Sequence, residues 1–235
     1  HAPADAYPTA GTAPTVLVVA AEVHAGYQPW VSSWPYLLGL SDTPPSAAEY
    51  DRNTEYRAWS VLFGDGAGAM VVRRDPRPDI GLLASTLHTD GNHFDLIHVP
   101  GIGFTRQPYI DQAQLSAQLH MPTMKGRELF RQAVTQMPEA VRTVSATAGV
   151  DVDELDLVIV HQANARIVEA VRKGLGLPPE RVPINIDRVG NTTAATLPIL
   201  FDELQRGGRI SSGALAAFTT YGAGAHWGAA LYRSP

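Results

Sequence analysis

Short apolar runs alternate with helix-like segments through the second half of the chain, and this alternation most constrains the fold. The predicted elements, in chain order, are a strand at 156–160, a helix at 163–175, a strand at 182–186, a helix at 192–205, and strands at 214–220 and 227–232. Strands and helices that alternate in this way are typical of an α/β fold. We therefore expect an α/β architecture with chemistry at the carboxyl ends of its strands.

The first half of the chain is less regular. The apolar run Val16–Ala20 predicts a strand buried on both faces. Residues 61–63 and 70–72 predict two strands joined by a glycine turn, and residues 80–88 predict another strand. Apolar residues at helical spacing predict a long amphipathic helix over 124–148, with a kink at its proline. Two long loops, 22–56 and 87–123, separate these elements.

Charge and composition exclude several classes of protein. The net charge of −5 argues against a general nucleic-acid binder. No apolar run approaches the roughly 20 residues that span a membrane, and the first residues lack a signal-peptide pattern, so we expect a cytoplasmic protein. The 235 residues contain no cysteine, which excludes a disulfide or a cysteine nucleophile within them. His88, His93 and His98 fit neither one helix face nor one strand face, so we expect no metal site there.

His161 and Asn191 are the candidate catalytic residues. Each is predicted to follow a strand, so the sheet would bring them together although thirty residues separate them. A neutral imidazole beside a carboxamide offers N–H donors that can hold a carbonyl oxygen and stabilise an enolate. Two plainer interpretations stay open: His161 as an ordinary strand-end histidine, and Asn191 as the N-cap of the following helix.

Two glycine-rich segments are ambiguous. Gly64, Gly66 and Gly68 precede a predicted strand rather than the helix that a dinucleotide site needs, so a close approach of neighbouring backbone is the better interpretation. Gly222 and Gly224 lie between two predicted strands. That turn either aims a backbone N–H at a developing oxyanion or is a simple hairpin turn.

Together these segments resemble the β-ketoacyl-acyl carrier protein synthase III family, which has the thiolase fold. The matching pieces, in the family's order, are LFGDGAGAMVV, LHTDG, MKGRELF, HQANARI, DRVGNTTAA and YGAGAHWGAAL. The resemblance implies a layered α-β-α-β-α fold, with residues 1–79 completing a first thiolase-like half and residues 80–235 forming the second. The long loops and their aromatic residues favour a specialised, secondary-metabolism member with an acyl pocket of its own.

The resemblance also implies roles for individual residues. His161 and Asn191 match two members of a Cys-His-Asn triad, and Ala223 matches the glycine whose N–H completes the oxyanion hole. Gly126, Phe130 and Asn164 match positions lining a pantetheine tunnel, and Arg166 matches a basic residue at its mouth. Arg166 would form a positive patch with Arg131, Arg172 and Lys173, suited to an acidic carrier protein or coenzyme A. A solvated helix face explains the last three residues equally well.

The implied reaction needs a nucleophile that these residues lack. Acyl-CoA would load a cysteine, and a malonyl thioester on acyl carrier protein would then lose CO2 and attack. We expect the cysteine on an upstream segment or a separate subunit, a homodimer, coenzyme A as a thioester substrate rather than a cofactor, and no nucleic-acid or membrane partner. Two other functions stay open: acyl transfer to an alcohol or amine without decarboxylation, and a non-catalytic partner subunit of a cysteine-bearing chain.

Overall fold

The computed structural model describes residues 14–27, 33–104 and 106–235, and two sheets dominate them. The first sheet pairs β1 (Thr15–Glu22) with β2 (Gly66–Arg73) in antiparallel register, Val18 opposite Met70. The second has the strand order β3 (Gly81–Thr89), β8 (His226–Arg233), β7 (Leu215–Gly222) and β6 (Leu157–Val160). Within it only the β6–β7 pair is parallel. A small third sheet pairs β4 (Ile97–His98) with β5 (Thr123–Met124).

Helices surround the second sheet and separate it from the first. In chain order the α-helices of the described residues are α1 (Trp34–Leu37), α2 (Ala47–Glu55), α3 (Arg57–Ser60), α4 (Gln112–Ser116), α5 (Gly126–Thr147), α6 (Ala165–Leu175), α7 (Ile186–Val189) and α8 (Thr196–Arg206). Helices α5 and α6 pack on one face of the four-stranded sheet, and α8 contacts β6 and β2. The layers therefore run from α5 and α6, through the four-stranded sheet and α8, to the β1–β2 sheet.

The main core lies between the first two of these layers, helices α5 and α6 and the four-stranded sheet. Met137 and Val141 of α5, Val171 of α6 and Val158 of β6 are each at most 1% exposed and belong to one apolar cluster. A second cluster on the other face of the sheet joins Ile159 to α8. Strand β6 is buried on both faces, and His161 follows directly after its last residue, Val160.

Most of the predicted elements after residue 80 are confirmed within one or two residues of their ends. Helix α6 begins at Ala165 because the Asn164 side chain accepts a hydrogen bond from the Ile167 N–H, and it ends before Gly176, which has φ of 74°. The predicted helix over 124–148 is α5, a continuous helix that contains Pro138. The α/β class is therefore correct, and the predicted division at residues 79 and 80 stays a prediction.

The predicted strand at 182–186 is wrong. A 3-10 turn covers Pro179–Arg181, and residues 182–185 lead as irregular chain into α7. Pro183 explains the difference, since it lies inside the predicted strand and lacks the N–H group that a strand ladder uses. The backbone N–H of Asn185 instead donates to the side-chain oxygen of Gln162.

The predicted glycine turn before residue 70 is also wrong, because two of its three glycines belong to a strand. Gly66 and Gly68 lie within β2, and residues 61–63 form no strand of their own. The interpretation of close approach is confirmed. A β-carbon on Gly64 would lie 2.2 Å from the Val189 carbonyl oxygen, and one on Gly68 would lie 2.8 Å from Pro198. Glycine thus lets Gly64, two residues before β2, contact α7 and lets β2 contact α8.

Among the residues that the structure describes, only one face of the β1–β2 sheet is covered. Its inner face meets α8 and the turn before that helix. On the other face Leu17, Val19 and Val71 are 63%, 64% and 66% exposed. The expectation of burial on both faces is therefore not met within this chain. Among the described residues no helix is both long and apolar enough to cross a membrane.

Candidate active site

His161 is the residue that leaves β6, and its surroundings keep its imidazole neutral. Its backbone N–H donates to the Thr219 carbonyl at 2.9 Å, which continues the β6–β7 ladder by one residue. The side chain is 8% exposed. Burial lowers the pKa of His161 from 6.5 to about 4. Within the described residues its ring makes no hydrogen bond, so the ring N–H is free to donate to a ligand.

Asn191 is held by backbone pairing with the segment before β2. Its N–H donates to the Leu62 carbonyl at 2.9 Å, and its carbonyl accepts from the Gly64 N–H at 3.0 Å. These two bonds make a parallel bridge between Asn191 and Phe63. Gly190, with φ of 70°, lets the chain approach Gly64 this closely. A strand end was predicted to hold Asn191, and a bridge to the first half of the chain holds it instead.

The Asn191 side chain has a defined orientation. Its Oδ1 accepts from the Thr193 N–H at 2.9 Å, and an N–H can only donate, so Nδ2 is directed away from Thr193. Thr193 adopts φ of 42°, a region that β-branched residues avoid, and this conformation accompanies the bond. The Asn191 side chain is 5% exposed. The carboxamide is thus pre-oriented with its acceptor used and its donor free within the described residues.

Gln162 joins the two candidate residues. It is fully buried, and its Nε2 donates to the Val160 carbonyl at 2.9 Å and to the Pro183 carbonyl at 3.4 Å. Its Oε1 accepts from the Asn185 N–H at 3.2 Å. The loop that carries His161 is therefore tied to the segment that leads through α7 to Asn191. Sequence reasoning gave Gln162 no role, and its position directly after His161 was the available signal.

The predicted oxyanion turn lies at the end of the β7–β8 hairpin. Ala223 is exposed in the turn between Gly222 and His226. The turn is anchored through Ala225, whose N–H and C=O bond the C=O and N–H of Asp90 at 3.0 and 2.9 Å. Tyr221, just before the turn, is 5% exposed, and burial followed by the charge of Asp90 raises the pKa of its hydroxyl. The structure fixes this turn, and the role of the Ala223 N–H stays a prediction.

The four predicted substrate-binding residues lie at the starts of α5 and α6. Gly126 is exposed at the first position of α5, and Phe130 is half-buried one turn later against the main core. Asn164 uses its Oδ1 as the N-cap of α6, which leaves its amide donor. Arg166 is exposed in the first turn of α6. Their tunnel role stays a prediction.

The predicted positive patch is reduced by a carboxylate. Glu169 accepts from Arg172 at 2.7 Å and lies 3.3 Å from Lys173, so two of the four cations are paired on the face of α6. Within the described chain neither Arg131 nor Arg166 lies within ion-pair distance of a carboxylate. Arg131 lines an open groove together with His93, Leu96, Glu128, Gln132 and Thr135. Only Arg131 and Arg166 therefore remain as free cations of the predicted patch.

The aromatic residues of the two long loops, Trp30 among them, were expected to shape an acyl pocket. Trp30 lies outside the described residues. The aromatic residues that the structure describes in these loops are 38–91% exposed: Trp34, Tyr36, Phe94, Phe104 and Tyr109. Within the described parts of the two loops these side chains therefore do not enclose a pocket. Over the described ranges no group of three or more His, Asp or Glu side chains is arranged to hold a metal ion.

Comparison with known proteins places this site in a family. The family model described as 3-oxoacyl-[acyl-carrier-protein (ACP)] synthase III C terminal matches residues 145–234, which hold His161, Asn191 and Ala223. The companion model, 3-oxoacyl-[acyl-carrier-protein (ACP)] synthase III, matches residues 46–91. The β-ketoacyl-[acyl-carrier-protein] synthase III of Rhizorhabdus wittichii is 43% identical over 179 residues, which cover 76% of this chain and 53% of that protein.

Solved structures agree with this assignment. The 3-oxoacyl-[acyl-carrier-protein] synthase III of Aquifex aeolicus is 35% identical with a TM-score of 0.76, over 98% of this chain and 61% of the other. The priming β-ketosynthase of the R1128 polyketide pathway is 27% identical with a TM-score of 0.75, over 99% and 60% of the two chains. The chain thus spans between half and two thirds of the length of these relatives, and its fold is thiolase-like. The shared sequence, fold and order of motifs show that the chain belongs to the 3-oxoacyl-[acyl-carrier-protein] synthase III family.

Proposed function

We propose that this protein catalyses the decarboxylative Claisen condensation of an acyl thioester with a malonyl thioester. The observation that carries the proposal is the pair of buried donors, a neutral His161 imidazole and an Asn191 carboxamide whose oxygen is already occupied. When the malonyl C–CO2 bond breaks, its electron pair moves toward the thioester carbonyl and leaves negative charge on that oxygen. Two fixed N–H donors stabilise this enolate without needing a base.

The enolate carbon then attacks the acyl group held as a thioester on a cysteine. A C–C bond forms, the C–S bond breaks, and the cysteine thiolate leaves. The backbone N–H of Ala223 is the proposed donor to the oxyanion of that tetrahedral intermediate. Coenzyme A enters as the acyl carrier of the substrate, and Arg131 and Arg166 are the free cations proposed to receive its phosphates or an acidic acyl carrier protein.

The cysteine, in this proposal, comes from an upstream segment of the same protein or from a second polypeptide. The exposed outer face of the β1–β2 sheet supports this, since monomeric proteins rarely leave three neighbouring large apolar side chains of a sheet in water. A closed dimer is the proposed assembly. The priming ketosynthase among the similar structures supports a polyketide starter unit as one class of acyl substrate.

The test replaces one donor and separates the two half-reactions. In Asn191→Ala the rate of CO2 release from a malonyl thioester should fall by ~10²–10³, because one preorganised donor to the enolate is lost. Acyl loading from acyl-CoA should change far less, since that step forms no malonyl enolate. CO2 release and acyl loading are measured separately, by trapped label and by intact mass.

Gln205→Ala is the matched control, because it removes an exposed carboxamide at the end of α8. It should leave both rates unchanged. Equal loss of loading and CO2 release in Asn191→Ala would count against the proposed role. Formation of an ester or amide product by the native protein with no CO2 release would replace the proposal with acyl transfer to an alcohol or amine.

A further inference from the structure

His24 lies just beyond the end of β1 and contacts the segment that holds Asn191. Its Nδ1 is 3.3 Å from the Gly64 carbonyl oxygen. A carbonyl oxygen can only accept, so Nδ1 carries the proton in this contact. The ring also stacks on Phe63, with ring centroids 4.7 Å apart and an interplanar angle of 22°. His24 therefore fixes both the peptide of Gly64 and the ring of Phe63.

Those two residues are the ones that pair with Asn191. Phe63 is the bridge partner of Asn191, and the Gly64 N–H donates to the Asn191 carbonyl at 3.0 Å. Gly64 cannot be held by its own side chain, because a β-carbon there would lie 2.2 Å from the Val189 carbonyl oxygen. A glycine peptide has the widest conformational freedom, so an external hydrogen bond is the available means of fixing it.

His24 is itself anchored. Asp65 Oδ1 accepts from the backbone N–H of His24 at 2.6 Å and from that of Ala25 at 2.9 Å. On the other side of the bridge, Glu22 Oε1 accepts from the Ala194 N–H at 3.3 Å. The end of β1 thus contacts both sides of the bridge, residues 63–65 on one side and Ala194, three residues after Asn191, on the other. The two bonds to Asp65 fix the backbone at His24, and this sets the position of the His24 imidazole.

We propose that His24 is a positioning residue for the enolate-stabilising site. Through the Nδ1 hydrogen bond to Gly64 and the stack on Phe63, it holds the backbone bridge that sets the direction of the Asn191 Nδ2 donor. The inference rests on the proposed function of Asn191. It adds that the end of β1, in the first half of the chain, controls the geometry of an oxyanion donor in the second half.

The test uses three substitutions in the protein purified with any polypeptide that accompanies it. His24→Asn places an amide N–H close to the position of Nδ1, whereas His24→Gln places it close to Nε2, and His24→Leu removes the donor. We expect kcat for CO2 release from a malonyl thioester to fall between about 10- and 100-fold in the Leu and Gln variants, because a displaced donor stabilises the enolate poorly. In the Asn variant kcat should lie within about threefold of the wild-type value. KM and acyl loading should stay unchanged in all three variants.

His98→Leu is the matched control, because His98 bonds Thr123 in the small β4–β5 sheet and touches no part of the bridge. Full kcat in His24→Leu, or equal loss in the Asn, Gln and Leu variants, would overturn the proposal. If the native protein releases no CO2, the proposed function fails, and hydrogen exchange of the Asn191 backbone N–H then decides the His24 inference. That exchange should be at least tenfold faster in His24→Leu than in the His98→Leu control, and equal rates would overturn the role of His24.

Discussion

At the scale of single residues, burial decides what His161 can do. An imidazole in water is half protonated near pH 6.5, and a protonated ring would carry both N–H donors but also a charge that must be solvated. His161 is only 8% exposed, so that charge is costly there and the pKa of His161 falls to about 4. At neutral pH the ring is therefore a neutral hydrogen-bond donor, which suits an enolate oxygen better than it suits proton abstraction.

The same burial predicts a pH dependence of stability. The unfolded chain has the ordinary pKa of 6.5 and the folded protein a pKa of about 4, so between these values only the unfolded state binds the proton. Above pH 6.5 the burial of His161 has no effect on the free energy of unfolding. As the pH falls toward 4, protonation of His161 in the unfolded state lowers that free energy by up to about 3 kcal/mol. Urea unfolding at pH 7.5 and 4.5 measures this loss in wild type and in His161→Gln.

The Gln variant should lose about 2–3 kcal/mol less than wild type over that interval, because every other titrating group is common to both proteins. Identical losses would show that His161 is not kept neutral by the fold. Gln keeps an N–H donor and a similar volume, so the comparison isolates the titration from the loss of packing.

At the scale of elements, the site depends on a junction between two parts of the chain that lie far apart in sequence. Residues 62–64 pair with Asn191, and Gly66 and Gly68 bring β2 against the start of α8. A substitution at Gly64 should therefore disturb the junction. Gly64→Ala places a β-carbon 2.2 Å from the Val189 carbonyl oxygen. That oxygen belongs to the backbone, so it cannot move aside as the end of a flexible side chain could. We expect a loss of about 1–3 kcal/mol in the free energy of unfolding, with a parallel fall in CO2 release.

Gly91→Ala is the control for that substitution, since a β-carbon at Gly91 meets nothing within 4 Å. Denaturant unfolding should show little change there. A Gly64→Ala protein as stable as Gly91→Ala would mean that the junction between residue 64 and α7 is not packed as described.

Some elements could be predicted from local sequence, and others could not. The α6 helix carries its own signals, Asn164 at the N-cap and Gly176 at the end, so its limits follow from nearby residues. The pairing of Asn191 with Phe63 joins residues more than a hundred positions apart, and no periodicity records such a contact. The false strand at 182–186 came from weighing its apolar residues above Pro183, which lies between them.

At the scale of the whole molecule, the sequence indicated the two candidate catalytic residues but not the residues that hold them in place. His161 and Asn191 were recognisable from the motifs that carry the family resemblance. The roles of Gln162 and His24 were not, because each acts through contacts that only the folded chain creates. The Glu169 ion pairs, by contrast, were readable from the sequence, since Arg172 and Lys173 follow Glu169 by three and four residues on the predicted helix.

Two features indicate that further protein is needed for the proposed reaction. One is the exposed outer face of the β1–β2 sheet, and the other is the absence of cysteine from these 235 residues. The proposed condensation needs an acylated nucleophile beside His161 and Asn191, and Leu17, Val19 and Val71 on the exposed face need a covering partner to leave water. The account therefore predicts that the working enzyme contains protein mass beyond these residues, and that this mass carries the acyl group during turnover.

The most direct measurement is the location of the acyl group after the purified protein is mixed with acyl-CoA. Denatured intact mass and peptide mapping should find the acyl increment on a cysteine outside these 235 residues, and a malonyl thioester should discharge it with release of CO2. An increment on a residue within this chain, or product formed without CO2, would contradict the account.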